Sequence, residues 1–282
     1  MYNIKIVSSG EIVKKQNIFL GPAGTPTITK GGSFEAVKDV AKLGLNAMEV
    51  QFTHGVRMGM QLAEEVGQEA KKHNVLLSIH APYYINLCSD EKEKIVASKK
   101  RIEESILRAE LLGAGIVVFH PGFYGKLEKE EAFDRVLVVC KELAKKTPRS
   151  VKLGLETGGK SGSFGTIEEI VKVCKKVNRC SPVIDFAHIF ARQVGKIDYK
   201  KVLDTVKPLR LKHLHTHFSN IDYTAKGERA HLVLDHRPPF EPLAQEVLKR
   251  KLDITIISES PILEQDSLKM KRLFERLKYN FK

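Results

Sequence analysis

Apolar runs of strand length alternate with amphipathic stretches along almost the whole chain, and no other feature restricts the fold so tightly. Strands are expected at Ile18–Gly21, Ala47–Phe52, Val75–His80, Ile116–His120, Val151–Glu156, Pro182–Asp185, Leu211–His217 and Ile254–Glu259. Helices are expected at Phe34–Leu43, Met60–His73, Lys92–Leu112, Lys129–Lys146, Thr166–Lys176, Phe240–Arg250 and Gln265–Lys278, with a short one around Tyr199–Val206. In Lys92–Leu112, for example, Ile95, Ile102, Ile106 and Ala109 make an apolar stripe beside charged faces. Strands separated by helices pair in parallel through right-handed crossovers. Eight such units in 282 residues predict an α/β fold, a (β/α)8 TIM barrel, as one domain over residues 1–282. A doubly wound open sheet would want a GxGxxG turn after its first strand, and "LGPAGTP" (Leu20–Pro26) is not one.

Hydrophobic residues make up 42% of the chain, yet no apolar run approaches the roughly 20 residues that span a bilayer. The N-terminal stretch lacks the charged and apolar regions of a signal peptide, so a cytoplasmic protein without a membrane partner is expected. The four cysteines (Cys88, Cys140, Cys174, Cys180) include no CxxC pair and are read as reduced. Net charge is +13, from 47 Lys+Arg against 34 Asp+Glu. That excess favours an anionic partner, nucleic acid above all, and fits about as well the lysine-rich surface of a heat-adapted protein.

The strand ends carry the chemistry. The third to eighth expected strands end in His80, His120, Glu156, Asp185, His217 and Glu259. In a TIM barrel the carboxyl ends of all strands meet at one mouth, and no packing rule demands imidazole or carboxylate at each. His188, three residues past Asp185, and Glu228 and His231, in the loop "KGERAHL" after the seventh strand, enlarge the set. These are more donors than one ion can use, so a cluster of two or three metals is expected. The mixture suits Zn²⁺ or Mn²⁺, with Zn²⁺ favoured by the histidines. His213, His215 and His217 alternate, which leaves the seventh-strand ligand open between His215 and His217.

At these residues the chain resembles the endonuclease IV family of apurinic/apyrimidinic (AP) endonucleases, which are xylose-isomerase-like barrels. "HAPYYINL" (His80–Leu87), "FHPG" (Phe119–Gly122), "LETGGKSGSFG" (Leu155–Gly165), "IDFAH" (Ile184–His188) and "ISESP" (Ile257–Pro261) carry the resemblance, which spans roughly Leu43 to Ser260. It implies a trinuclear zinc site that hydrolyses the phosphodiester bond 5′ to an abasic site in duplex DNA. His80 and His120 would hold one ion, with Glu156 as a bridge. Glu156, Asp185, His217 and Glu259 would hold the second, and His188, Glu228 and His231 the third. Glu156 would orient the nucleophile and Glu259 would partner its proton. Arg57, Tyr83 and Tyr84 stand where the family inserts side chains into DNA. Lys160, in the loop Thr157–Ser163, could meet a phosphate. A monomer is expected.

Three departures from the family pattern bear on this reading. The third-ion motif is ordinarily Asp-x-His, whereas Glu228 and His231 are three apart, and His215 or Asp222 would be the substitutes. The seventh-strand motif reads "HFSN", and "LGPAGTPT" replaces the family's first-strand segment. The alternative function is a sugar isomerase or epimerase on the same barrel, using a single divalent ion held by Glu156, Asp185, His217 and Glu259. A DNA-binding module without catalysis would keep the charge and the tyrosines but would need none of the ligands.

Overall fold

A computed structural model describes residues 16–281 and, ahead of them, the paired strands Ile4–Ile6 and Ile12–Lys14. The stretch read for a signal peptide falls mostly outside the described residues. The eight apolar runs form strands β1 (Ile18–Pro22), β2 (Ala47–Gln51), β3 (Leu76–His80), β4 (Ile116–Phe119), β5 (Lys152–Glu156), β6 (Cys180–Asp185), β7 (Leu214–Phe218) and β8 (Ile254–Ser258). Seven parallel pairings join them in the order β1-β8-β7-β6-β5-β4-β3-β2.

The remaining seam, between β1 and β2, closes differently. One parallel bridge joins Ala23 to Glu49. Below it the Asn46 side chain stands in for a ladder, accepting from Leu20 N at 2.8 Å and donating to Ile18 O at 3.1 Å. A Cβ on Gly21 would lie 1.6 Å from the Ala47 carbonyl oxygen, so only glycine lets the two strands approach this closely. The fold is a TIM barrel.

Helices α1 (Ser33–Lys42), α2 (Met60–His73), α3 (Lys92–Leu112), α4 (Lys129–Lys146) and α5 (Ile167–Lys176) follow β1 to β5 in turn. Helix α3 buries Ile102, Ile106, Ala109 and Leu112 and stops at Gly113, whose φ of 67° satisfies the last carbonyls in a left-handed cap. Helix α5 starts on a capping box. Thr166 Oγ1 accepts from Glu169 N, and Glu169 accepts from Thr166 N at 2.9 Å. After β6 come α6 (Phe186–Arg192) and α7 (Tyr199–Val206), and α8 (Glu241–Lys249) and α9 (Glu264–Arg276) complete the ring. The four cysteines are free and buried. No described helix is long and apolar enough to cross a membrane.

Two elements differ from expectation, and both shape the mouth. Helix α6 starts directly on β6, because Asp185 caps it by accepting from His188 N at 2.7 Å. The segment carrying Glu228 and His231, expected as a loop, is a strand. Asn220–Thr224 and Gly227–Leu232 form an antiparallel hairpin whose register shifts between Asp222 and Tyr223. Asp222 faces Ala230 and Tyr223 faces Glu228, so Arg229 is the extra residue of a β-bulge. In an unbroken strand, residues three apart face opposite sides. The bulge turns Glu228 and His231 to the same side, where Ile221 and Tyr223 pack on Phe190 and Ala191 of α6.

Candidate metal centre

Glu156, at the end of β5, is fully buried and surrounded by imidazoles. Its Oε2 lies 3.0 Å from His80 Nε2 and 3.3 Å from His120 Nε2. Its Oε1 lies 3.0 Å from His217 Nδ1 and 3.4 Å from His188 Nδ1. His217 Nδ1 also meets Glu259 Oε1 at 3.3 Å, and His231 Nε2 comes within 3.8 Å of Glu259 Oε2. On the far side His188 Nε2 meets Glu228 Oε2 at 3.0 Å, and its Nδ1 lies 3.7 Å from Asp185 Oδ2. All nine expected ligands are therefore linked by contacts of 3.8 Å or less.

The partners of each ring decide which nitrogen faces the cluster. His80 Nδ1 donates to Ala81 O at 2.8 Å, and His188 Nδ1 donates to Thr157 O at 3.0 Å. His231 Nδ1 pairs with Ser219 Oγ at 2.7 Å. His80 and His231 keep Nε2 for the cluster, and His188 turns Nε2 to Glu228 while its Nδ1 edge also lies beside Glu156 and Asp185. His217 is turned the other way, with Nδ1 inward and Nε2 3.1 Å from Glu49 Oε1.

The two substitute ligands, His215 and Asp222, lie elsewhere. His215 does not reach the cluster but points into the barrel, donating from Nε2 to Glu49 Oε2 at 2.9 Å. Asp222 ion-pairs with Arg229 at 3.3 Å, on the hairpin's other side. Glu49 and Ser219 were not anticipated. Ser219 gives no signal in sequence, whereas Glu49, an acid inside the apolar run "AMEVQF", could have been suspected.

Glycine and arginine shape the surrounding loop. A Cβ on Gly159 would fall 1.9 Å from Glu228 Oε2, so this position must be glycine for the carboxylate to sit there. Arg192 of α6 donates to the carbonyls of Gly158, Lys160 and Ser163 at 2.8–3.2 Å, which pins the β5 loop. At the rim, Tyr83 is 57% and Tyr84 63% exposed, and the Tyr83 ring centroid is 6.0 Å from that of His80. Arg57 and Lys160 are exposed, and Lys160 Nζ lies 3.8 Å from Glu228.

Asp185 Oδ2 and Glu228 Oε2 are buried and lack an aligned hydrogen-bond donor. Asp185 stands with Glu156, His188 and Glu259 in one group of donors close enough to share a divalent ion. His80, His120 and Glu156 form a second such group, and His188, His231 and Glu259 a third; Glu228 adjoins the set through His188. Burial pushes the Glu259 carboxyl up to about 8, with Glu156 and Asp185 adding to the effect against His217. Burial lowers His80, yet its bond to Glu156 carries it up to about 9. Burial takes His120 down to about 4.

These shifts predict a pH dependence for the metal-stripped protein. From pH 6.5, the ordinary His80 value, up to about 9, folded His80 holds a proton that the unfolded chain has lost. Glu259 does the same from 4.5 up to about 8. Both contributions vanish as pH rises, so the melting temperature after chelation should fall between pH 6.5 and 9. Bound metal replaces those protons and should flatten the profile. A level profile after chelation would contradict the buried charge described here.

The chain matches the family model described as xylose isomerase-like TIM barrel over residues 37–278. It is 36% identical to "Uncharacterized protein MJ0133" of Methanocaldococcus jannaschii over 92% of this chain and 98% of the other. It is 26% identical to "Probable endonuclease 4" of Mycoplasmopsis synoviae, over 91% and 87% respectively. Among solved structures it is similar to endonuclease IV from Thermus thermophilus, with a TM-score of 0.69, 19% identity and coverage of 93% and 98%. It is similar also to a 3-keto-D-glucoside 4-epimerase from E. coli, with a TM-score of 0.68, 13% identity and coverage of 94% and 99%. This chain belongs to the xylose isomerase-like TIM barrel family, the family of the AP endonucleases 2.

Proposed function

We propose that the protein is a metal-dependent AP endonuclease that hydrolyses the phosphodiester bond 5′ to abasic sites in duplex DNA. The observation that carries this reading is the size of the donor set around Glu156. Glu156, Asp185, His217 and Glu259 would suffice for the single ion of a sugar isomerase or epimerase. That alternative leaves His80, His120, His188, Glu228 and His231 without a task, although all five are tied into the same cluster.

Zinc ions, about three per chain, are the expected cofactor, with Mn²⁺ an acceptable substitute. Bound there, they supply Lewis-acid charge on the phosphoryl oxygens and make water a stronger nucleophile at neutral pH. His80, His120 and Glu156 would hold the first ion; Glu156, Asp185, His217 and Glu259 the second; His188, Glu228 and His231 the third. Glu156, central to the set, orients the attacking water, and Glu259 takes the proton that this water gives up. Lys160 meets a backbone phosphate, and Arg57 enters the duplex at the lesion. Tyr83 and Tyr84 fill the gap left by the missing base, where little unstacking energy is required.

Binding measurements test this reading. Raising salt from roughly 50 to 200 mM should cost at least about tenfold in affinity for an abasic duplex, because several phosphates release counterions. Tyr83→Ala and Arg57→Ala should each weaken that complex by roughly 1–3 kcal/mol while leaving undamaged duplex and metal content unaffected. Equal weakening on undamaged DNA would show that these side chains do not read the lesion. Binding indifferent to salt would count against a DNA substrate.

A further inference from the structure

We infer that Glu49 is a positioning residue of the metal centre, holding the His217 imidazole so that Nδ1 is the nitrogen offered to a cation. This rests on reading the Glu156 cluster as a metal centre. Glu49 lies on β2 with no solvent exposure, one layer below the nine ligands. Four groups surround its carboxylate. Oε1 accepts from Gln51 Nε2 at 3.1 Å and meets His217 Nε2 at 3.1 Å. Oε2 accepts from Ser78 Oγ at 2.8 Å and from His215 Nε2 at 2.9 Å.

The orientation follows from what each nitrogen of His217 faces. Nε2 has no aligned hydrogen-bond partner, and its close neighbour is the Glu49 carboxylate, an acceptor only, which favours a proton on Nε2. A neutral ring carries one proton, so Nδ1 is left with its lone pair. Nδ1 in turn faces Glu156 Oε1 and Glu259 Oε1, two further acceptors that cannot donate to it when ionised. Either a proton or a metal ion must lie between Nδ1 and those carboxylates, and a bound metal ion takes the Nδ1 lone pair and leaves the ring's proton on Nε2, toward Glu49. His80 and His188 have their outward nitrogens anchored by backbone carbonyls, and His231 by a serine hydroxyl. His217 alone of these rings turns its outward nitrogen to a carboxylate, the pairing that fixes the tautomer and raises ligand basicity. Ser78, Gln51 and His215 hold that carboxylate in place.

The test is zinc affinity, measured by chelator competition on the full chain. Glu49→Gln is close to isosteric and keeps an oxygen for Ser78 and His215, but offers His217 an amide in place of an anion. It should weaken the tightest-coupled ion by about 10–100-fold, the usual effect of losing an outer carboxylate. Glu49→Asp, which keeps the charge, should recover part of that loss. Ser78→Ala, which removes one donor on the other oxygen, should leave zinc affinity within a few-fold of the wild type. In ¹⁵N spectra of the loaded protein, His217 should carry its proton on Nε2 in the wild type, and exchange more readily in Glu49→Gln. Unchanged zinc affinity and spectra in Glu49→Gln, with a wild type that binds zinc, would overturn this inference alone. A wild type that binds no zinc would overturn the metal reading beneath it. Loss of one whole ion in Glu49→Gln, with the others bound as before, would make Glu49 itself a ligand and overturn the positioning role.

Discussion

Glu156→Gln should release metal from the cluster and lower incision of abasic DNA by several orders of magnitude. The substitution preserves size and burial but removes the charge that faces four imidazoles within 3.4 Å. Burial alone would raise this carboxyl, and the charges of His120 and His217 hold it well below the ordinary range, so its ionised form is what the site is built around. An amide in its place turns an NH₂ toward rings or cations that need an acceptor. Metal analysis and a duplex incision assay check this together. Full activity with unchanged metal content would remove Glu156 from the mechanism.

His188→Ala and His231→Ala should each cost one ion and leave the other two, with incision falling on the order of 10²–10³-fold. The two rings lie 5.4 Å apart, and His188 Nε2 reaches Glu228 at 3.0 Å, so both removals open the same corner. Retention of every ion in His231→Ala would break the assignment of Glu228 and His231 to one position. The bulge at Arg229 makes the second half of this expectation specific. Deleting Arg229 should restore regular alternation, turn His231 or Glu228 outward, and reproduce the His231→Ala loss.

The barrel could be read from the chain because strand and helix periods alternate without interruption, and α2, α3, α4 and α7 begin and end where the periodicity does. The mouth was legible for a related reason. Ligands at strand ends recur once per strand–helix unit, so His80 and Glu156 each close a strand, and His120 and Glu259 follow β4 and β8 directly. What lay between strands was harder. Helix α6 has seven residues, too few for a periodic signal, and its start depends on the Asp185 cap. The hairpin after β7 is polar along much of its length, and its facing is set by a bulge that no alternation pattern reveals. Glu49 escaped because it lies inside a strand rather than at its end, where an acid is stable only through the groups on neighbouring strands that donate to it. Alternation alone does not separate His215 from His217; the register of β7 does, with His217 level with Asp185 and His215 a layer below.

The most direct measurement is incision by the zinc-loaded protein of a duplex carrying one tetrahydrofuran abasic analogue, with metal per chain determined on the same sample. A single cut 5′ to the analogue is expected, with loss of cutting on chelation, recovery with zinc, and about three ions per chain. An intact duplex with every position loaded, alongside epimerisation of a ketose by the same preparation, would contradict it.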